Sequence, residues 1–227
     1  MIDLYEKSEM TILVVDDNPV NVKIIEILLG KNGYRTASTM KGNECIETAK
    51  KLKPELILLD IGMPGISGIE VCRVLKQEDT TSDIPVIFVT ASTDDETLNN
   101  AFESGGTDYV RKPVNKIELL ARIKSALDRK KLMEKNLEEK KFRGVLEMAG
   151  AICHEFNQPL QVISGYSELL LMDISRDSPL YSKFKIIKDQ IIRMGKITNK
   201  LMGITRYKTK SYLDTTEIID IDKASDN

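Results

Sequence analysis

Three short apolar runs constrain this chain more than anything else in it. Thr11-Ile12-Leu13-Val14-Val15, residues 55–59 (Glu-Leu-Ile-Leu-Leu) and residues 85–89 (Pro-Val-Ile-Phe-Val) are each followed by polar or acidic residues. Runs of this length without polar alternation suit strands buried on both faces. Between them, segments near 19–30, 41–52 and 66–77 carry apolar residues at helical spacing, with Val22, Ile25 and Leu29 on one face. Weaker strands are expected near 34–38 and 107–110, and a helix near 95–104. Strand alternating with helix predicts an α/β domain, a doubly wound five-stranded parallel sheet covered on both sides. Ligands of such sheets bind outside the carboxyl ends of the strands.

The residues at those ends are chemically specific. Asp16 and Asp17 follow the first strand, Asp60 follows the third, Thr90 ends the fourth, and Lys112-Pro113 follows the fifth. A pair of aspartates after a strand is often only a helix N-cap. Here the topology gathers three carboxylates on one edge, where they repel unless protonated or neutralised by a cation. An oxygen-only cluster suits a hard ion such as Mg²⁺, which shares its shell with water and phosphate. Thr90 adds a hydroxyl donor and Lys112 an ammonium.

This constellation, with Asp60-Ile61-Gly62-Met63-Pro64-Gly65-Ile66-Ser67-Gly68, Thr90-Ala91 and Asp108-Tyr109-Val110-Arg111-Lys112-Pro113, resembles the receiver domain of two-component response regulators over residues 10–127. The resemblance implies phosphorylation of Asp60. It implies Asp17, Asp60 and the backbone carbonyl of Gly62 as Mg²⁺ ligands, with Asp16 assisting mainly through water. It also makes Thr90 and Lys112 the contacts to phosphate oxygens, and Tyr109 the aromatic whose rotamer, with Thr90, reports the state.

After Pro113 helix formers dominate. Residues 115–128 read as the last helix of the first domain, continuing as a helical linker over 128–145, where Lys and Arg mix with Glu134, Glu138 and Glu139. Mixed signs favour a solvated helix over a nucleic-acid stripe, and Gly144 and Gly150 are expected to loosen it. From Leu146 a 3/4 spacing runs through Ala149, Cys153, Phe156, Leu160, Ile163, Ser167 and Leu170, the seam of a packed helix. A turn near Asp177-Ser178-Pro179 leads to a second stripe, Phe184, Ile187, Ile191, Met194 and Leu201. Two amphipathic helices cannot bury both faces alone, so this all-α helical hairpin, residues 146–206, is expected to form a dimeric four-helix bundle.

The chain's single histidine lies on the first of these helices, at the flank of the seam, in His154-Glu155-Phe156-Asn157-Gln158-Pro159-Leu160. That run resembles the H box of the dimerisation and histidine-phosphotransfer domain of sensor histidine kinases. The resemblance implies His154 as phosphoryl carrier and Glu155 as its acid/base partner. Gln158 stands where relatives carry Thr or Asn, so it is a candidate for positioning water. Pro159 removes the helix hydrogen bond to the carbonyl of Glu155 and is expected to kink the helix. Kinases of this kind continue into an ATP-binding domain; residues 207–227, a tail with no assigned task, are too few for one, and no Gly-rich phosphate loop occurs.

The expected function is a two-component phosphorelay protein that does not autophosphorylate from ATP alone, with a histidine kinase or a response regulator as partner in trans. Two rivals keep the receiver: a receiver-controlled dimerisation scaffold without phosphohistidine, and half of a split kinase whose ATP domain is a separate protein. A net charge of −2 gives no reason to expect nucleic acid or an anionic membrane. Three cysteines without C-x-x-C spacing suit a reducing compartment. Neither a signal-peptide core nor a membrane-length apolar run is present, so a cytoplasmic protein is expected.

Overall fold

The computed structural model describes residues 7–91, 94–202, 209–211 and 217–219. Five strands, β1 (Thr11–Val15), β2 (Arg35–Thr39), β3 (Leu56–Asp60), β4 (Val86–Thr90) and β5 (Asp108–Arg111), form one parallel sheet in the order β2-β1-β3-β4-β5. The order reverses between β1 and β3, which opens a crevice at their carboxyl ends.

Alternation along the strands builds two cores. Ile12, Val14, Leu56, Leu58, Ile87 and Val89 face one side, packing on Val22, Ile25 and Leu29 of α1 (Pro19–Gly30) and on Leu119 and Ile123 of α5 (Lys116–Asp173). Leu13, Val15, Ile57, Leu59 and Phe88 face the other, against Cys45 and Ala49 of α2 (Gly42–Leu52), Val71, Cys72 and Leu75 of α3 (Gly68–Gln77) and Ala101 of α4 (Asp95–Glu103). Successive side chains of a strand point to opposite faces, so continuous apolar runs serve both layers at once. For the five strands and α1 to α4, observed and expected boundaries differ by at most two residues.

Local signals start the helices. Asn18 caps α1, its side chain accepting from the amide of Val20 at 2.9 Å, with Pro19 at the first helical position. Ser67 and Glu70 form a reciprocal capping box at α3.

Cys45 and Cys72 are fully buried in the second core. Burial, and next the neighbouring Cys72, push the Cys45 thiol from its ordinary 9.0 up to about 12. The folded value lies above the unfolded one, so this contribution to stability is intact below pH 9.0 and is lost as pH rises towards about 12. Urea midpoints measured from pH 8 upward (roughly, to span the ordinary thiol pKa) are expected to fall less steeply in Cys45→Ala.

The structure divides into two units, one ending at Glu134 and the other starting at Lys135. Helix α5 continues into the second unit as far as Asp173; α6 (Pro179–Met202) follows the turn at 174–178. The helix is uninterrupted at Gly144 and Gly150, contrary to the loosening expected there. Each glycine costs only about 1 kcal/mol relative to alanine, and Leu, Met, Ala and Glu around them favour helix. Pro159 likewise sits inside the helix without breaking it.

The stripe expected to bury α5 is covered only in part. Buried or half-buried positions are Leu146, Ala149, Gly150, Cys153, Asn157, Leu160, Ser164, Ser167 and Leu171, so Leu146, Ala149, Cys153, Leu160 and Ser167 of the expected stripe are covered, whereas Phe156, Ile163 and Leu170 are 52%, 48% and 39% exposed. Helix α6 meets α5 at Cys153 and Asn157 through its Thr198, and its Lys188 reaches Glu168 of α5 at 3.0 Å. Of the tail, two short antiparallel strands are described, β6 (Thr209–Ser211) and β7 (Glu217–Ile219); the rest of it lies outside the described residues.

Candidate functional site

The end of β1 turns directly into the cap of α1, which leaves Asp16 1% exposed beneath the turn and Asp17 exposed above it. Asp16 Oδ1 accepts from the backbone amide of Asn18 at 2.9 Å, and Asn21 Nδ2 donates to both Asp16 oxygens at 3.1 and 3.2 Å. Asp60, the last residue of β3, is 5% exposed, and its Oδ1 accepts from the amide of Gly62 at 3.4 Å. Oxygen atoms of Asp16, Asp17 and Asp60 all lie within 4.8 Å of one another.

Lys112 enters from the turn after β5. Its Nζ lies 2.8 Å from Asp16 Oδ2 and 2.8 Å from Asp60 Oδ2. Its own amide donates to the carbonyl of Thr90 at 2.8 Å, tying the β5 turn to the end of β4. Burial alone would lower the ammonium pKa, but hydrogen bonds to Asp16 and Asp60, and their charges, reverse this and hold it above its ordinary 10.5. One ammonium against three carboxylates leaves the cluster negative. Oxygen donors and unbalanced negative charge fit a hard divalent cation such as Mg²⁺.

Thr90 is 2% exposed at the end of β4, at the same sheet edge. Tyr109, on β5, is half-buried; its ring meets Phe102 edge to face at 6.0 Å, and the Arg111 guanidinium lies 5.9 Å from its centroid. Gly62 is exposed in the loop after Asp60. Thus Asp16, Asp17, Asp60 and Lys112 come together, with Thr90 joined through its backbone.

Asn21 and Phe102 are absent from the expected site, and Arg111 and Gly68 enter it only as members of motifs, without a role. Asn21 had a signal, a polar amide on the first turn of the helix after the aspartates. Gly68 is the tightest point of the loop: a Cβ there would overlap the carbonyl of Asp60. Gly68→Ala is therefore expected to destabilise the receiver by on the order of 3 kcal/mol and to lower Mg²⁺ affinity, read by chemical denaturation and titration calorimetry.

In the second unit, His154 and Glu155 are exposed on α5. Gln158 Nε2 lies 3.5 Å from His154 Nδ1, one turn along the helix. The imidazole adjoins the seam without entering it. Neighbouring Asn157 and Cys153 face α6: Thr198 Oγ1 donates to Asn157 Oδ1 at 2.8 Å, and Cys153 Sγ lies 3.4 Å from the carbonyl of Thr198.

A doubly wound parallel sheet whose switch point holds three carboxylates and a bridging lysine defines the acidic-pocket class of α/β signalling domains, here followed by a histidine-bearing hairpin. The chain belongs to the two-component signalling families: residues 12–124 are a response regulator receiver domain, and residues 145–209 a His Kinase A (phospho-acceptor) domain. It is 41% identical over 118 residues to the DNA-binding response regulator MtrA of Mycolicibacterium smegmatis, covering 52% of this chain and 50% of MtrA. It is 38% identical over 133 residues to the response regulator PleD of Caulobacter vibrioides, covering 59% of this chain and 29% of PleD. The chain thus spans half or less of these relatives' lengths.

Among solved structures, the receiver domain of a signal transduction histidine kinase from Syntrophus aciditrophicus matches with a TM-score of 0.50 and 30% identity, over 52% of this chain and 90% of that one. The receiver domain of a sensor histidine kinase from Pseudomonas aeruginosa PAO1 matches with a TM-score of 0.50 and 28% identity, over 52% of this chain and 98% of that one; that structure holds a magnesium ion in its active-site cleft. Among the described residues no helix is long and apolar enough to cross a membrane.

Proposed function

We propose that this chain is a cytoplasmic phosphorelay protein in which Asp60 accepts a phosphoryl group with Mg²⁺ and His154 carries or passes one. The observation that supports this best is the cluster of Asp16, Asp17 and Asp60 within 4.8 Å, with Lys112 bridging two of them. Asp17, Asp60 and the Gly62 carbonyl would hold the metal, with Asp16 assisting. Mg²⁺, when bound, neutralises charge on the incoming phosphoryl group. Lys112 and Thr90 contact its oxygens, and Tyr109 responds to the change. The Asp60 carboxylate is the nucleophile: a P–O bond forms to it as the bond from phosphorus to the donor breaks.

On the hairpin, a neutral imidazole is nucleophilic near physiological pH, and the exposure of His154 leaves it accessible to a partner's site. Glu155 is its acid/base partner, and Gln158 positions water. Phosphate comes from a histidine kinase in trans, or leaves to a response regulator in trans. The protein is incubated with Mg²⁺ and acetyl phosphate, with ATP alone, and with phosphorylated candidate partners, followed by phosphosite mapping. Expected are label at Asp60 from acetyl phosphate, none from ATP alone, and label at His154 with a partner. An Asp60 that stays unlabelled in every reaction would overturn the receiver assignment.

The hairpin works as a homodimer. Phe156, Ile163 and Leu170 on α5, with Ile187 and Met194 on α6, are each 39–52% exposed. An apolar groove of about 270 Å³, lined in part by Ile152, Phe156, Met194 and Ile197, opens beside them. A second copy laying the same stripe into this groove completes a four-helix bundle. Phe156→Asp is expected to convert the protein to a monomer in sedimentation velocity while the receiver still takes label from acetyl phosphate.

A further inference from the structure

Apart from the ion pair between Lys188 of α6 and Glu168 of α5, the described polar contacts across the hairpin seam lie at one level. There Thr198 of α6 is held twice by α5: its hydroxyl donates to Asn157 Oδ1 at 2.8 Å, and its backbone carbonyl lies 3.4 Å from Cys153 Sγ. Cys153 and Asn157 are one turn apart on the inner side of α5, and they bracket His154 on the outer side. Asn157 and Thr198 are half-buried and Cys153 is fully buried.

A polar pair in a packed seam gives up apolar contact, and its attested use is to specify register. Two contacts converging on one residue fix more than register. The first holds α6 at a set height along α5; the second, one turn back along α5, holds the rotation of α5 about its own axis. Because His154 projects from the same turn, that rotation sets the direction of its imidazole. Ridge packing of Leu160 and Ile191 alone tolerates small rotations, whereas a hydrogen bond weakens steeply with misalignment. Thr198 Oγ1 also lies 3.0 Å from the carbonyl of Gly195, one turn back on its own helix. Its single proton is therefore shared between a cross-helix acceptor and a local one, and loss of alignment with Asn157 hands it to Gly195.

We infer that Thr198 is a positioning residue for His154: its grip by Asn157 and Cys153 fixes the rotation of the histidine-bearing turn and hence the direction the imidazole presents to its partner. The consequence for transfer rests on the proposal that His154 carries phosphate; the orientation itself does not.

His154 is the only histidine in the chain, so the imidazole Cε1–Hε1 signal occurs once in the NMR spectrum. Thr198→Val keeps the shape and removes the hydroxyl; Thr198→Ser keeps the hydroxyl. The expected result is a shifted, broadened or doubled imidazole signal in Thr198→Val and a wild-type signal in Thr198→Ser, with both proteins helical by circular dichroism. Asn157→Leu, which removes the acceptor from the other helix, is expected to reproduce the valine result and serves if Thr198→Val fails to fold. Phosphotransfer to or from His154 is expected to fall at least about tenfold in Thr198→Val and to return in Thr198→Ser. An unchanged imidazole signal in folded Thr198→Val or Asn157→Leu overturns the inference. Absence of phosphohistidine in wild type would instead remove the relay reading, while the imidazole signal still decides the positioning role.

Discussion

Asp60→Asn is expected to abolish acyl-phosphate formation from acetyl phosphate, a loss on the order of a thousandfold or more in labelling rate. The substitution preserves volume and the oxygen that accepts from the Gly62 amide at 3.4 Å, but it removes the nucleophilic carboxylate. Asp16 and Asp17 do not substitute for it. Asp16 is 1% exposed, and its oxygens already face Asn18, Asn21 and Lys112. The measurement is base-labile, hydroxylamine-sensitive label quantified by mass spectrometry. Lys112 keeps its partner Asp16 at 2.8 Å, so the melting temperature of metal-free protein should change little. Residual label in Asp60→Asn at the wild-type rate would move the nucleophile elsewhere.

The second large effect is expected at the hairpin. His154→Ala removes the acid-labile, base-stable label acquired from a phosphorylated partner, while labelling of Asp60 by acetyl phosphate is unchanged. His154 is exposed, and its only described hydrogen-bond neighbour is Gln158 at 3.5 Å, so folding loses within about 0.5 kcal/mol. The dimer should persist. A histidine variant that signals normally would favour the scaffold reading, in which the seam matters and the imidazole does not.

Much of the receiver was legible because its determinants are local. A five-residue apolar run ended by Asp is a strand and its edge at once, and alternation places that edge where the sheet order reverses. The three aspartates and Lys112 could therefore be assembled from topology alone. The supports of those residues could not. Asn21 reaches Asp16 only because α1 folds back over the end of β1, and Arg111 and Phe102 meet Tyr109 only across separate elements.

The hairpin divides the same question more sharply. Helix spacing by itself determined that α5 has an apolar side containing Leu146, Cys153, Leu160 and Ser167, and that His154 flanks it. It did not determine which neighbouring line completes the seam. Residues three and four apart are both neighbours on a helix, so Ala149, Phe156 and Ile163 fit the spacing as well as Gly150, Asn157 and Ser164. The approach of α6 decided it: the small and polar line packs within the chain, Thr198 reaches Asn157, and Phe156 and Ile163 are left exposed for another surface. Periodicity records that a face is apolar; only the position of the second helix, set by contacts 41 and 45 residues apart in sequence, selects which part of that face is covered.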